Sequence, residues 1–245
     1  MTIGLIGAME VEIELYLKAM TDVEESKGAG MSFWRGKYLE QDLVLCQSGV
    51  GKVNAAICTQ MLIDRYGVDQ VIFTGVAGAL DPSLRVGDVV ISVDCLQHDF
   101  DVTALGYQWG QIPGVATTFE ADSALVELAV KASEKTTDWQ TIKGRVLSGD
   151  TFVADREYVK KLHSELKGTC AEMEGADVAQ VCTMNKIPFV IIRSMSDKAD
   201  GSAHTSYREF KFLAAQRSYE IVTRMIGALG ADSPQVHKST SPQAQ

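Results

Sequence analysis

The chain is poor in positive charge. Its 245 residues carry 23 Lys and Arg against 32 Asp and Glu, a formal net charge of −9, so a nucleic-acid or anionic-membrane surface would have to be built against the overall field. A small neutral or cationic ligand fits better. Long hydrophobic runs are missing too. No basic segment precedes the first apolar run in MTIGLIGAMEVE, and acidic residues interrupt that run after a few positions. Neither a signal peptide nor a membrane span is therefore expected, and the expected location is the cytoplasm. The five cysteines, at 46, 58, 95, 170 and 182, form no CxxC pair, and their odd number leaves one unpaired in any full disulfide scheme. They suit a reducing compartment and are expected as buried apolar fillers.

Cofactor motifs are lacking as well. GLIG, from Gly4 to Gly7, does not have the GxGxxG spacing of a dinucleotide site. SGVGK, from Ser48 to Lys52, fails as a phosphate loop twice: Cys46 stands where the first glycine belongs, and Val53 replaces the magnesium-binding hydroxyl. His98 and Asp99 are adjacent but have no further ligands at sensible spacing, so no metal is expected. No redox cofactor is expected either. Internal repeats are absent and no composition shift divides residues 1–229, which are expected to form a single domain around one large core. Residues 230–245, rich in Ser, Pro and Gln without apolar periodicity, are expected to be a flexible tail.

What is present is alternation. Short apolar runs at Ile3–Met9, Leu43–Gln47, Gln70–Thr74, Asp88–Val93, Gly144–Ser148 and Phe189–Ser194 read as strands buried on both faces. Between them, Lys52–Tyr66, Ser123–Lys135, Glu174–Met184 and Phe210–Leu229 carry apolar residues three and four apart, the helical period. Strands alternating with helices imply an α/β fold with a largely parallel central sheet and helices on both sides. One long connection, Asp94–Glu120, holds Phe100, Tyr107, Trp109 and Phe119. Long aromatic loops of this kind are often functional or docked on a partner.

Ligands of open α/β sheets bind beyond the carboxyl ends of strands. The TGVAG segment from Thr74 to Gly78 is read as a glycine turn following a strand, where backbone amides can approach a sugar or anion. Acids gather at the same edge. Glu10, Glu12 and Glu14 follow the first run, Glu172 and Glu174 enter a helix, and Asp197 follows the last run, with Arg193 available as a partner. Each acid taken singly is explained by a helix dipole or a turn cap; together they suggest a site.

IGLIGAMEVE, SGVGKVNAA, TGVAGAL, VGDVV, SGDTFV, AEMEGADVA and RSMSDKAD resemble, in order and spacing from Ile3 to about Phe210, the bacterial 5′-methylthioadenosine/S-adenosylhomocysteine nucleosidases. AEMEGA with SDKAD is the most specific pair. The resemblance implies a nucleoside phosphorylase-like fold of three layers, with a mixed central sheet that curls toward a barrel between flanking helices. It implies that Glu12 is the general base that activates water, Asp197 the acid that protonates adenine N7, and Glu174 the carboxylate that holds the ribose hydroxyls. Met173 would pack on the sugar, Phe152 would stack on adenine, and the Val153 backbone would read the adenine edge. Gly78 would approach the nucleoside, Arg193 would orient Glu174, and Ser196 would line the substrate site. Met9, Val50 and Tyr207 would line the 5′-thioether pocket, completed by Val102, Leu105, Tyr107 and Pro113 of a second subunit, so a homodimer is implied. Val76 departs from a serine common in the family and is given no ligand role. Leu105 and Tyr207 replace common phenylalanines.

Cleaving an N-glycosidic bond builds positive charge on ribose and negative charge on the base. Asp197 must therefore carry a proton and Glu12 must be ionised, the division of labour seen between paired carboxylates in glycoside hydrolysis. A carboxylate at Glu12 would repel phosphate, so water is the expected nucleophile. The alternatives are a 6-amino-6-deoxyfutalosine hydrolase, a purine nucleoside phosphorylase, and a nucleoside-binding protein without turnover, which intact Glu12, Glu174 and Asp197 argue against.

Overall fold

The computed structural model describes residues 1–134, 136, 138–198 and 203–231. In chain order the elements are β1 (Thr2–Gly7), α1 (Glu10–Ala19), β2 (Thr21–Gly28), β3 (Met31–Tyr38), β4 (Gln41–Gln47), α2 (Lys52–Tyr66), β5 (Gln70–Ala79), β6 (Val89–Gln97), β7 (Phe119–Glu120), α3 (Ser123–Ser133), β8 (Thr141–Ser148), α4 (Arg156–Leu166), β9 (Gly168–Glu172), α5 (Gly175–Asn185), β10 (Phe189–Asp197) and α6 (Ala203–Ala231).

The strands form one mixed sheet in the order β10-β6-β8-β9-β5-β1-β4-β3-β2. Because β5 also pairs with β10, the strands β5, β10, β6, β8 and β9 close into a ring, while β1, β4, β3 and β2 extend from it as an open wing. This matches the mixed, partly barrel-like sheet. The largely parallel sheet expected from periodicity is corrected: β1 with β4 and β5, β10 with β5, and β8 with β6 and β9 are parallel, but β10–β6, β5–β9, β6–β7 and the β2-β3-β4 meander are antiparallel.

Central strands alternate between two apolar layers. On β5, Val71 and Phe73 face α2 and α5, whereas Ile72 faces α1, α3 and α6; on β10, Phe189 and Ile191 share the first layer, Val190 and Ile192 the second. Two-sided burial is why these runs carry no polar alternation. A third cluster, Leu80, Leu96, Leu147, Leu162 and Leu166, fixes α4 over one end of the ring. All five cysteines are buried and free.

Helix ends follow local chemistry. The Asp122 carboxylate accepts from Leu125 N at 3.0 Å and starts α3, Asp155 does the same for α4 with Tyr158 N at 2.8 Å, and Gly67, left-handed at φ 60°, ends α2. The α6 helix runs through Gly230 and Ala231, past the boundary expected at 229. The rest of the expected tail, residues 232–245, lies outside the described residues. No helix among them is long and apolar enough to cross a membrane.

Candidate active site

Strand ends and helix starts meet above the ring in a cleft of about 740 Å³, measured out to its open mouth. The Glu12 side chain, on the first turn of α1, folds back into it. Glu12 Oε2 accepts from Ala8 N at 2.8 Å and Met9 N at 2.9 Å, and Oε1 accepts from Val76 N at 3.0 Å. Burial pushes this carboxyl above its usual range, while Arg193 and the three N–H groups pull it down. A carboxyl holding three donors can only be an acceptor at those contacts, so the ionised form is the one the backbone is built for. Its neighbours differ: Glu10 is exposed and Glu14 pairs with Lys18 at 2.8 Å, as the helix-dipole reading covers.

The TGVAG segment is corrected from a turn to strand: Thr74–Gly78 lies within β5. The glycine at 75 serves close packing, because a Cβ there would run into Arg193 Nη1 and Glu12 Oε1. Gly78 lines the cleft, paired with Ala171 and Asp197. Asp197 is likewise a strand residue, the last of β10. The pairing of β10 with β5 slips between Met195 and Asp197, a bulge that lets the consecutive residues Ser196 and Asp197 both line the cleft. Ser196 Oγ donates to Asp197 Oδ2 at 2.8 Å, and both residues are buried.

Glu174 caps α5 and is 5% exposed. Gly51 N donates to its Oε1 at 2.9 Å. Burial, then the charge of Glu172, push Glu174 up to about 8 against the pull of Arg193 and the Gly51 N–H. Arg193, 1% exposed, lies over the Phe73 ring at 3.9 Å. Arg193 pairs with its expected partner, Nη2 standing 3.6 Å from Glu174 Oε2, and bonds more closely still to Glu172 Oε2.

Glu172, counted among the acids at this edge but given no role of its own, is the partner that most closely holds Arg193. Besides Arg193 it accepts from Ser148 Oγ and, at 2.9 Å, from Gly175 N. Glu172 is the last residue of β9 and Glu174 the cap of α5, so the two acids expected at one helix entrance are split between a strand end and a helix start. The SGVGK segment also acquires a use, since its Gly51 N–H holds Glu174.

Met9, Val50, Phe152, Val153, Met173 and Tyr207 all line the cleft. Tyr207 OH donates to Met9 Sδ at 3.0 Å, and its ring meets Phe152 edge-on at 6.0 Å. Val50 and Phe152 are each 48% exposed at the mouth. Val102, Leu105, Tyr107 and Pro113 do not line this chain's own cleft. Leu105, 74% exposed, and Tyr107 face solvent, whereas Trp109 of the same loop is anchored by its Nε1 donating to His98 O at 2.7 Å. His98 Nδ1 pairs with Tyr158 OH at 3.0 Å and Asp99 with Lys52. Four acids, Glu12, Glu172, Glu174 and Asp197, line the cleft, and no Lys, Arg or His does among the described residues.

The family model of the phosphorylase superfamily matches residues 2–227. A 5′-methylthioadenosine/S-adenosylhomocysteine nucleosidase of Geobacillus kaustophilus is 43% identical over 94% of this chain and 98% of its own length. The chain belongs to this nucleosidase family. The Neisseria meningitidis nucleosidase, solved in complex with methylthio-immucillin-A, is 40% identical with a TM-score of 0.90, over 93% of this chain and 99% of that one. A futalosine hydrolase of Helicobacter pylori is 35% identical with a TM-score of 0.89, over 93% and 97%. Membership in an N-glycosidase family fits a cleft whose ionisable lining is acidic among the described residues.

Proposed function

We propose that this chain hydrolyses the N-glycosidic bond of 5′-methylthioadenosine and S-adenosylhomocysteine, releasing adenine and the corresponding 5-thioribose, in methionine salvage and methyl-cycle recycling in the cytoplasm. The observation that carries the reading is the all-acid lining around a carboxylate held by three backbone N–H groups. Phosphate, the nucleophile of a phosphorylase, would meet the ionised Glu12 beside Glu172, Glu174 and Asp197 with no cation lining the cleft among the described residues, since Arg193 is held by Glu172 and Glu174 behind the lining. Water meets no such repulsion.

In the proposed reaction Asp197 gives its proton to adenine N7 as the bond from C1′ to N9 breaks. The bonding electrons leave with the base, and the ribose becomes cationic. Glu12 stabilises that charge and takes a proton from water as its oxygen bonds to C1′. Glu174 holds the ribose hydroxyls and Met173 packs on the sugar. Phe152 stacks on adenine beside the Val153 backbone, and Met9, Val50 and Tyr207 face the 5′ thioether. Val102, Leu105, Tyr107 and Pro113 of a second copy close that end, so the active form is a homodimer. The match to a futalosine hydrolase supports a second reading, cleavage of 6-amino-6-deoxyfutalosine.

Initial rates of adenine release from the three nucleosides under identical conditions test the assignment. The highest kcat/KM is expected on a thionucleoside. A clear preference for 6-amino-6-deoxyfutalosine would replace the first reading with the second.

A further inference from the structure

Outside the cleft, three hydrogen bonds close a ring. Lys52 Nζ donates to Asp99 Oδ1 at 2.7 Å, Asp150 N donates to Asp99 Oδ2 at 3.0 Å, and Lys52 N donates to Asp150 Oδ1 at 2.9 Å. The ion pair is largely covered, with side-chain exposures of 17% for Lys52 and 26% for Asp99. It is therefore less screened than an ordinary surface pair. Each member sits on a different segment. Lys52 begins α2 directly after Gly51, Asp99 follows β6 and leads into the loop of Leu105 and Tyr107, and Asp150 follows β8 two residues before Phe152. A third acid, Asp177 on the first turn of α5, is buried with its Oδ2 unpartnered among the described residues. Burial raises this carboxyl to about 7, the charges of Glu172, Asp99 and Asp150 adding to the rise and Lys52 opposing it.

We infer that Lys52 is a positioning residue for the reaction: its ammonium ties the Asp99 segment to the start of α2 and, through the Asp150 N–H on Asp99, helps fix the Gly51 N–H on Glu174 and the Phe152 loop over the base. The physical reason is charge balance. Without the ammonium, the Asp99 carboxylate is left uncompensated beside Asp150, and the segments carrying them separate. Gly51 is the residue most directly affected, because its N–H bonds Glu174 Oε1 and its backbone stands at φ 102°, where a Cβ would meet Asp150 Oδ1 at 3.2 Å. The displaced groups bind the ribose and the base, whereas Glu12 is held by Ala8 and Met9 between β1 and α1 and by Val76 of β5, and does not depend on the ring. Loss of Lys52 should therefore weaken substrate binding more than it slows bond cleavage.

The inference rests on the proposed nucleosidase reading, and one experiment separates the two. Turnover of 5′-methylthioadenosine by the unsubstituted protein tests the reading; the ratio of variant to parent tests the ring. For Lys52→Met we expect KM to rise roughly ten-fold, the loss typical of one charge-assisted hydrogen bond, with kcat within about three-fold. Lys52→Arg should keep KM within about two-fold, since it restores the charge. Asp99→Asn should raise KM in the same direction and decides the question if Lys52→Met does not fold. An unchanged KM in both charge-removing variants, or a fall in kcat that only tracks a lower melting temperature, would overturn the inference.

Discussion

Glu12 and Glu174 are held by different means and should titrate with different consequences. For Glu12 the ionised form is the reactive one, and burial places its pKa above the ordinary carboxylate value of 4.5. Activity should fall on the acid side as Glu12 takes up a proton, with a midpoint above 4.5; a kcat/KM profile against pH reads this directly. Glu12→Gln keeps the shape but loses the base, and Asp197→Asn loses the acid. Each should lower kcat about 10²- to 10⁴-fold while substrate analogues still bind. Near-normal turnover in either variant would remove that residue from the mechanism.

Stability should move in the opposite sense to activity. Glu174 and Asp177 hold protons in the folded protein up to about 8 and about 7, well above their ordinary values. The folded state then binds more protons than the unfolded state between those limits, so stability is present at low pH and is lost as pH rises through 7 to 8. The melting temperature of the substrate-free protein should fall between about pH 5 and 8, and Asp177→Asn should flatten part of that slope.

At the scale of elements, β5 and β10 do the positioning. Gly75→Ala would push a methyl into Arg193 and Glu12 where the strands carry both, so it should abolish turnover and lower the melting temperature, although alanine suits a strand no worse than glycine. Thermal unfolding and adenine release on the same sample check both effects. These strands were legible because each is buried on two faces, and α2 was read to its last residue because it runs uninterrupted to the glycine that ends it. The β2–β3 hairpin was not legible: TDVEESKG is largely exposed, and its turn at Ala29 and Gly30 depends on positive φ values that no apolar pattern announces. The α4 helix was missed because its buried residues, Leu162 and Leu166, are few among charged ones. Within the site, Glu12, Glu174 and Asp197 stood out by motif. The role of Glu172 depends on contacts from Ser148 on β8 and Arg193 on β10, which are remote in the chain.

For the whole molecule, the closed ring of strands gathers residues from β5, β9 and β10, with Ala8, Met9 and Glu12 following β1, around one cleft, while the exposed loop bearing Leu105 and Tyr107 does not line it. An exposed apolar loop tip with an anchored base suits insertion into a second copy. Sedimentation should give twice the chain mass of 26.6 kDa. Leu105→Asp should shift the equilibrium toward monomer and lower kcat/KM roughly ten-fold. A fully active monomer would contradict the shared site.

The central claim is that an acid-lined cleft admits water and excludes phosphate. Its most direct test is to follow 5′-methylthioadenosine cleavage in ¹⁸O-water, with and without saturating phosphate. The account predicts equal rates, adenine as one product, and ¹⁸O on the anomeric carbon of free methylthioribose in both. Turnover that requires phosphate, with a methylthioribose 1-phosphate as product, would contradict it.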